Sequence, residues 1–156
     1  MNFHKSFQLN GRAFATSNEI IDFSNEISLE VSLFLKDWFS ENRSIDVNTS
    51  GSTGVPKTIA IKKEFFINSA LSTAEFLDLK EGTTTLMCLP PNYIAGKMML
   101  VRALVLGWHL DVVSTKSNPL ENNDKTYDFS AMVPLQLEHS LLKINQIKKV
   151  IVGGGV

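Results

Sequence analysis

Residues 85–113 read TLMCLPPNYIAGKMMLVRALVLGWHLDVV, and this stretch decides the fold class. An apolar strand at Thr85–Leu89 is followed by a strongly apolar helix at Gly96–Leu106 and a second strand at His109–Val113. A strand, a helix and a strand at this spacing predict a right-handed βαβ crossover between two parallel strands.

The same alternation extends along most of the chain. Further strands are predicted at Ile45–Thr49, Thr58–Ile61, Phe129–Val133 and Lys149–Val152, and further helices at Lys63–Leu79 and Leu135–Asn145. We therefore predict an α/β fold with alternating βαβ units and a mostly parallel sheet. Ligands of such sheets bind beyond the carboxyl ends of the strands, so the chemistry is expected in the loops after Thr49, Leu89, Val133 and Val152.

Upstream of these units, Ser17–Glu41 carries apolar residues at helical spacing and predicts one broken helix or two short ones. Ser17 and Ser28 are the candidate N-caps. We expect an N-terminal helical segment at 1–44 and a partial α/β domain at 45–156.

Composition excludes several functional classes. The chain has 156 residues, of which 44% are hydrophobic, and 15 Lys and Arg against 16 Asp and Glu give a net charge of −1. This near-neutral balance argues against a nucleic-acid partner or an anionic membrane surface. A single cysteine cannot form an internal disulfide, and no apolar run is long enough for a leader or a membrane span, so a cytoplasmic protein is expected.

The loop Thr49-Ser50-Gly51-Ser52-Thr53-Gly54-Val55-Pro56-Lys57-Thr58 carries the clearest chemistry. Its glycines allow consecutive backbone N–H groups to surround an anion, its hydroxyls add neutral donors, and its lysine adds a cation. A Walker A loop is excluded because Pro56 stands where that motif needs glycine and a strand follows Lys57 instead of a helix. The remaining alternative is a surface turn rich in Ser, Thr and Gly.

Thr49–Lys57 resembles the phosphate-binding signature S/T-S-G-S/T-T-G-x-P-K of the adenylate-forming superfamily, which includes acyl-CoA synthetases, and every specified position matches. The resemblance implies an ATP-binding loop formed by Thr49, Ser50, Gly51, Ser52, Thr53, Gly54 and Lys57, with Lys57 as the catalytic residue. It also implies that the turn Gly153, Gly154 and Gly155 lies against the adenine.

The segment Leu89–Met98 is similar to the acyl-substrate motif of that superfamily, although Asn92-Tyr93 stands where a histidine is common. Tyr93, Ala95, Gly96 and Lys97 are the candidate substrate residues, so the domain at 45–156 is expected to bind ATP and an acyl substrate. The sequence of this segment, together with Ala131–Gln136, is most similar to short o-succinylbenzoate–CoA ligases of menaquinone biosynthesis. Tyr93 either flanks the ring of the acid or covers the strand end. Lys97 either pairs with a substrate carboxylate or is a solvated lysine at the helix start.

The resemblance implies ATP, Mg²⁺ and coenzyme A as cofactor and co-substrates, o-succinylbenzoate as the acid, and no metal ligand within this chain. The later superfamily motifs are absent from the sequence, so we expect the N-terminal portion of an acid–CoA ligase that is inactive alone. An incomplete sheet would leave an edge open, so a homodimer is a possible partner arrangement. The alternative function is a non-catalytic module that binds nucleotides or anions.

Overall fold

The computed structural model describes residues 2–48 and 57–154 of the chain. Strands β1 (Gln8–Leu9) and β2 (Arg12–Ala13) precede helices α1 (Ser17–Ile27) and α2 (Leu29–Phe39). The central part contains β3 (Ser44–Asn48), β4 (Thr58–Lys62), α3 (Lys63–Phe76), β5 (Thr84–Met87), α4 (Ile94–Leu106) and β6 (His109–Val112). The last part contains β7 (Tyr127–Met132), α5 (Pro134–Ser140), a 3₁₀ turn (Ile144–Gln146) and β8 (Ile147–Val152).

Six strands of the described ranges form one sheet in the order β2-β1-β6-β5-β7-β8. The strands β1, β6, β5, β7 and β8 are parallel, and β2 pairs antiparallel with β1. The turn between β1 and β2 has positive φ at Asn10 and Gly11, residue types that suit a tight hairpin turn. The predicted α/β fold with a mostly parallel sheet is therefore confirmed.

Strands β3 and β4 form a separate antiparallel hairpin, with Ser44 opposite Lys62 and Asn48 opposite Thr58. The sequence places the strand ending at Thr49 among the parallel strands, and this expectation is wrong. A parallel connection needs a crossover of roughly a dozen or more residues, usually a helix, and the short segment 49–57 is not long enough to supply one.

The directions in which α4 and α5 connect the strands define a crevice between β5 and β7. Helix α4 connects β5 to β6, whereas α5 connects β7 to β8, so the two crossovers run toward opposite edges of the sheet. Right-handed crossovers then put α4 and α5 on opposite faces. The carboxyl ends of β5 and β7 consequently form a topological switch point, which is where open α/β sheets bind their ligands.

The N-terminal segment forms two helices, and it also contributes β1 and β2 to the main sheet. The Ser28 hydroxyl caps α2 by accepting a hydrogen bond from the Val31 N–H at 3.4 Å, as predicted. The predicted cap at Ser17 is wrong, because the preceding hydroxyl of Thr16 accepts the hydrogen bond from the Glu19 N–H instead.

A single large apolar cluster joins the N-terminal helices to the sheet and to α3 and α4. Its largest fully buried side chains include Trp38 of α2, Phe66 of α3, and Trp108 and Phe129 beside the sheet. Across residues 2–48 and 57–154, we find no helix with both the length and the apolar character needed to cross a membrane.

Candidate functional site

The switch point is bordered by the segments that follow β5, β7 and β8. Residues 88–93 connect β5 to α4, Val133 connects β7 to α5, and Gly153-Gly154 follows β8. The Gly153 N–H donates a hydrogen bond to the Met132 carbonyl at 3.1 Å. Gly154 has a φ of 78°, and a Cβ built on it would meet Val133 Cγ1 at 3.6 Å. The glycine turn therefore lies against the end of β7.

The structure describes two of the three residues that are predicted to contact the adenine. Gly153 and Gly154 lie at the crevice, and Gly155 lies outside the described residues. The left-handed backbone at Gly154 explains why glycine is suited to that position, since other residues rarely adopt it.

The β3–β4 hairpin brings together the two residues that flank the predicted phosphate-binding motif. The Thr58 hydroxyl donates a hydrogen bond to Asn48 Oδ1 at 2.9 Å, which joins the last residue of β3 to the first residue of β4. Lys57 is exposed and comes directly before β4. The other predicted residues of the motif lie outside the described residues: Thr49, Ser50, Gly51, Ser52, Thr53 and Gly54.

The loop from Cys88 to Tyr93 packs closely on the first turn of α4. The Tyr93 N–H donates to the Pro90 carbonyl at 3.3 Å, and the Tyr93 carbonyl accepts from the Lys97 N–H at 3.1 Å. A Cβ on Gly96 would overlap the Pro90 carbonyl and lie 2.8 Å from Pro91 N. Only glycine permits this approach, so Gly96 allows the loop and the helix to pack together.

The start of α4 offers a suitable environment for an anion at the crevice. Tyr93 is the N-cap residue, and its side chain makes no capping hydrogen bond. The first N–H groups of a helix have no partner within the helix, and its dipole favours negative charge there. The Tyr93 side chain is 55% exposed and Ala95 is also exposed, so both are accessible to a ligand, whereas Gly96 is buried.

Lys97 extends from this first turn toward α2 and the hairpin. Its Nζ lies 5.2 Å from the centroid of the Phe34 ring, which is a cation–π contact. Burial lowers the pKa of Lys97, while the carboxylates of Asp37 on α2 and Asp46 on β3 raise it. Lys97 therefore connects α4 electrostatically with the hairpin that carries the phosphate-binding motif.

Gln136 ends the stretch Ala131–Gln136 that carries part of the family resemblance, but it is not among the predicted site residues. It lies on α5, is 3% exposed, and donates hydrogen bonds from Nε2 to the carbonyls of Cys88 at 2.9 Å and Lys116 at 3.0 Å. Apart from that resemblance, its only sequence signal is a polar side chain that follows Val133-Pro134 in an otherwise apolar stretch.

Two other features of the region concern nucleophilic catalysis and metal binding. Burial raises the pKa of the Cys88 thiol to about 11, so this thiol is protonated at neutral pH and is a poor nucleophile. Among residues 2–48 and 57–154, no three His, Cys, Asp or Glu side chains are grouped so that they could hold a metal ion. We therefore assign no described residue to Mg²⁺.

Comparison with known proteins identifies structural neighbours of this fold. An acyl-CoA synthetase (AMP-forming)/AMP-acid ligase II-like protein from Dyadobacter fermentans is 39% identical, with a TM-score of 0.72 over 81% of this chain and 38% of its own. No protein-family model matches the sequence, and no curated protein matches it significantly.

Two proteins called MenE are also similar in fold. An arginine-to-lysine variant from Escherichia coli with bound OSB-AMS is 24% identical, with a TM-score of 0.63 over 75% of this chain and 26% of its own. The o-succinylbenzoate CoA synthetase from Bacillus subtilis in complex with OSB-AMP is 24% identical, with a TM-score of 0.59 over 71% and 31%. Another structure of the Bacillus subtilis protein contains ATP and a magnesium ion.

The chain thus spans 38% of the length of the Dyadobacter protein and a smaller share of the two MenE proteins. Over that span, its mixed α/β architecture with a mostly parallel sheet matches the N-terminal domain of adenylate-forming enzymes, and these neighbours support placing it in that superfamily.

Proposed function

We propose that this chain supplies the phosphate-binding and acid-binding part of an ATP-dependent acid–CoA ligase that acts through an acyl-adenylate. The observation that carries the proposal is the complete phosphate-binding signature at 49–57, which the sequence places between the two paired strands of the β3–β4 hairpin. The 39% identity to a synthetase-like protein supports the same class of reaction.

The first step brings two anions together. A carboxylate oxygen of the acid forms a bond to the α-phosphorus of ATP, the bond from that phosphorus to the bridging oxygen breaks, and pyrophosphate leaves with the electron pair. The thiol of coenzyme A, having lost its proton to solvent, then attacks the acyl carbon, the bond from that carbon to the phosphate oxygen breaks, and AMP leaves with the electron pair. The barrier to adenylation falls mainly through alignment and through neutralisation of charge on the phosphates.

Different residues of this chain would contribute to the alignment of the reactants and to the neutralisation of phosphate charge. Lys57 and the hydroxyls of the motif would hold the leaving pyrophosphate, and the N-terminus of α4 would orient the carboxylate. The turn Gly153–Gly155 would lie against the adenine. Mg²⁺ bound with ATP would neutralise phosphate charge.

For the acid we propose o-succinylbenzoate, and with it a cytoplasmic role in menaquinone biosynthesis. The support is the similarity of Tyr93–Lys97 to the motif of those ligases, together with two MenE neighbours whose structures contain OSB-AMS and OSB-AMP. The exposed ring of Tyr93 would flank the aromatic ring, and Lys97 would attract the second carboxylate.

The test is ATP–pyrophosphate exchange by the complete protein that contains this sequence. We expect exchange that requires Mg²⁺ and is faster with o-succinylbenzoate than with benzoate or acetate at equal concentration. Exchange with other acids but not with o-succinylbenzoate would contradict only the choice of acid. ATP binding without exchange for any acid would favour the non-catalytic nucleotide-binding alternative.

Lys57→Ala tests the role of the motif in the same protein. We expect the rate of pyrophosphate release to fall by roughly 100-fold, since a lost charge-stabilising donor costs that order of magnitude, with little change in acid binding. Lys62→Ala is the matched control, because this exposed lysine lies at the far end of β4. An unchanged rate in Lys57→Ala would contradict the assignment.

A further inference from the structure

The side chain of Gln136 uses both polar atoms of its amide in hydrogen bonds, two to distant loops and one to the N-cap residue of its own helix. Nε2 donates to the Cys88 carbonyl at 2.9 Å and to the Lys116 carbonyl at 3.0 Å. Oε1 accepts from the Val133 N–H at 3.3 Å and lies 3.8 Å from Cys88 Sγ. Since Gln136 is 3% exposed, water cannot easily replace these partners.

The partners of Gln136 belong to three segments that meet at the switch point. Cys88 is the first residue after β5, Val133 is the first residue after β7, and Lys116 lies in the loop that follows β6. These three strands are neighbours in the sheet, in the order β6-β5-β7. One side chain therefore makes hydrogen bonds to backbone groups that follow three neighbouring strands.

Two of the segments that Gln136 contacts pack in turn against predicted ligand-binding residues. The loop that starts at Cys88 packs its Pro90–Pro91 backbone on Gly96, in the first turn of α4. On the other side, Val133 lies against Gly154 of the glycine turn. Gln136 thus connects the segment proposed to bind the acid with the turn proposed to bind the adenine.

We propose that Gln136 is a positioning residue for adenylation, which holds the acid-binding loop 88–93 at the correct distance from the nucleotide-binding turn. The inference rests on the proposed function. Gln136 itself touches neither reactant, so its effect is on how the bound carboxylate and the α-phosphorus are aligned. A displacement of about 1 Å at this stage can cost on the order of 100-fold in rate.

Glutamine is suited to this position because two carbonyls need two donors on one side chain. Leucine has a similar volume but no donor, and a glutamate carboxylate accepts hydrogen bonds without donating any. Either replacement leaves the carbonyls of Cys88 and Lys116 without their partner. The loops after β5 and β6 would then be free to shift relative to Val133.

The experiment measures the single-turnover rate constant for acyl-adenylate formation in the complete protein, with both substrates saturating. We expect the rate constant to fall about 10- to 100-fold in Gln136→Leu, while the dissociation constants of ATP and the acid change by less than about threefold. A merely structural effect would reduce the fraction of active protein, which lowers the amplitude and leaves the rate constant unchanged.

Gln146→Leu is the matched control. Gln146 also donates an amide hydrogen bond, from Nε2 to the Asn123 carbonyl at 3.0 Å, but it lies at the amino end of β8. Its replacement should leave the rate constant unchanged. Gln136→Glu keeps the size of the side chain and provides a second variant if Gln136→Leu does not fold.

The outcomes separate the two proposals. If the wild-type protein forms acyl-adenylate and both Gln136 variants keep its rate constant within about twofold, the positioning role is overturned and the proposed function stands. Equal slowing in Gln146→Leu would also overturn it. If the wild-type protein forms no acyl-adenylate with any acid, the proposed function fails, and the inference fails with it.

Discussion

Gly96 shows how one residue shapes the candidate site. The sequence predicts it as part of the substrate motif, and the structure adds a packing reason, because its missing side chain lets the Pro90–Pro91 backbone approach α4. Glycine within a helix normally costs stability relative to alanine. Glycine is nevertheless required at position 96, because the close approach of backbone sets the position of the loop that carries Tyr93.

We predict that Gly96→Ala lowers the free energy of unfolding by about 1–3 kcal/mol, because the added methyl group meets backbone that cannot rotate away. Urea denaturation monitored by tryptophan fluorescence measures the change. Gly153→Ala is the control for stability, since a Cβ there meets nothing within 4 Å. A Gly96→Ala protein as stable as the wild type would show that the loop can move away from α4.

Other features of single residues differ in how well the sequence predicts them. The phosphate-binding motif can be read directly, because its residues are contiguous. Gln136 cannot be predicted in the same way, because its partners Cys88 and Lys116 are distant in the chain and are bonded through backbone carbonyls, which carry no residue signature. The contact of Lys97 with Phe34 is likewise visible only once α2 and α4 are packed.

At the scale of elements, apolar periodicity predicts strands and long helices well and their ends poorly. Helix α4 begins at Ile94 and ends at Leu106, close to the predicted range. The predicted helix Leu135–Asn145 is too long, because α5 ends at Ser140 and a 3₁₀ turn follows. Strands β1 and β2 were not predicted, since strands of two residues contain no periodic pattern.

Asp128 of β7 connects its strand to both neighbouring strands. One carboxylate oxygen accepts hydrogen bonds from the N–H and hydroxyl of Thr84 on β5, at 2.9 and 2.8 Å. The other accepts from Lys148 Nζ on β8 at 2.8 Å. The hydrogen bond from Lys148, followed by that from the Thr84 N–H, lowers the pKa of Asp128 from 3.8 to about 2.

This lowered pKa gives a prediction for the dependence of stability on pH. Because the carboxylate is stabilised in the folded state, its contribution is present above about pH 4 and is lost as the pH falls toward 2. The difference in free energy of unfolding between wild type and Asp128→Asn should therefore shrink over that range. Asp22→Asn, on the exposed side of α1, is the control. A difference independent of pH would contradict this explanation.

At the scale of the whole molecule, β8 is an edge strand of the six-stranded sheet that the described residues form. In the part of the chain that the structure describes, β8 pairs only with β7, and Ile151 and Val152 at its end are 37% and 43% exposed. Leu141 and Leu142, shortly before this strand, are also exposed. The carboxyl-end half of β8, Val150–Val152, is apolar and follows Lys148 and Lys149, and an apolar strand edge is a surface on which another strand can add.

We predict that the 156-residue chain associates with itself through β8 in a concentration-dependent manner. Val152→Lys should shift the association to higher protein concentration, because a lysine on an edge strand opposes strand addition. Sedimentation velocity over a series of concentrations measures this. Leu33→Lys, an exposed apolar position on α2, is the control. Equal effects of the two substitutions would point to general surface hydrophobicity instead of the β8 edge.

The sequence by itself determined the βαβ alternation and the strands that flank residues 49–57, and it predicts phosphate binding by that loop, because periodicity and contiguous motifs are local properties of the chain. Only the tertiary structure decided the strand order, the separation of the β3–β4 hairpin from the main sheet, and the joining of three loops by Gln136. These features depend on hydrogen bonds and packing between residues far apart in the chain, which no local pattern records.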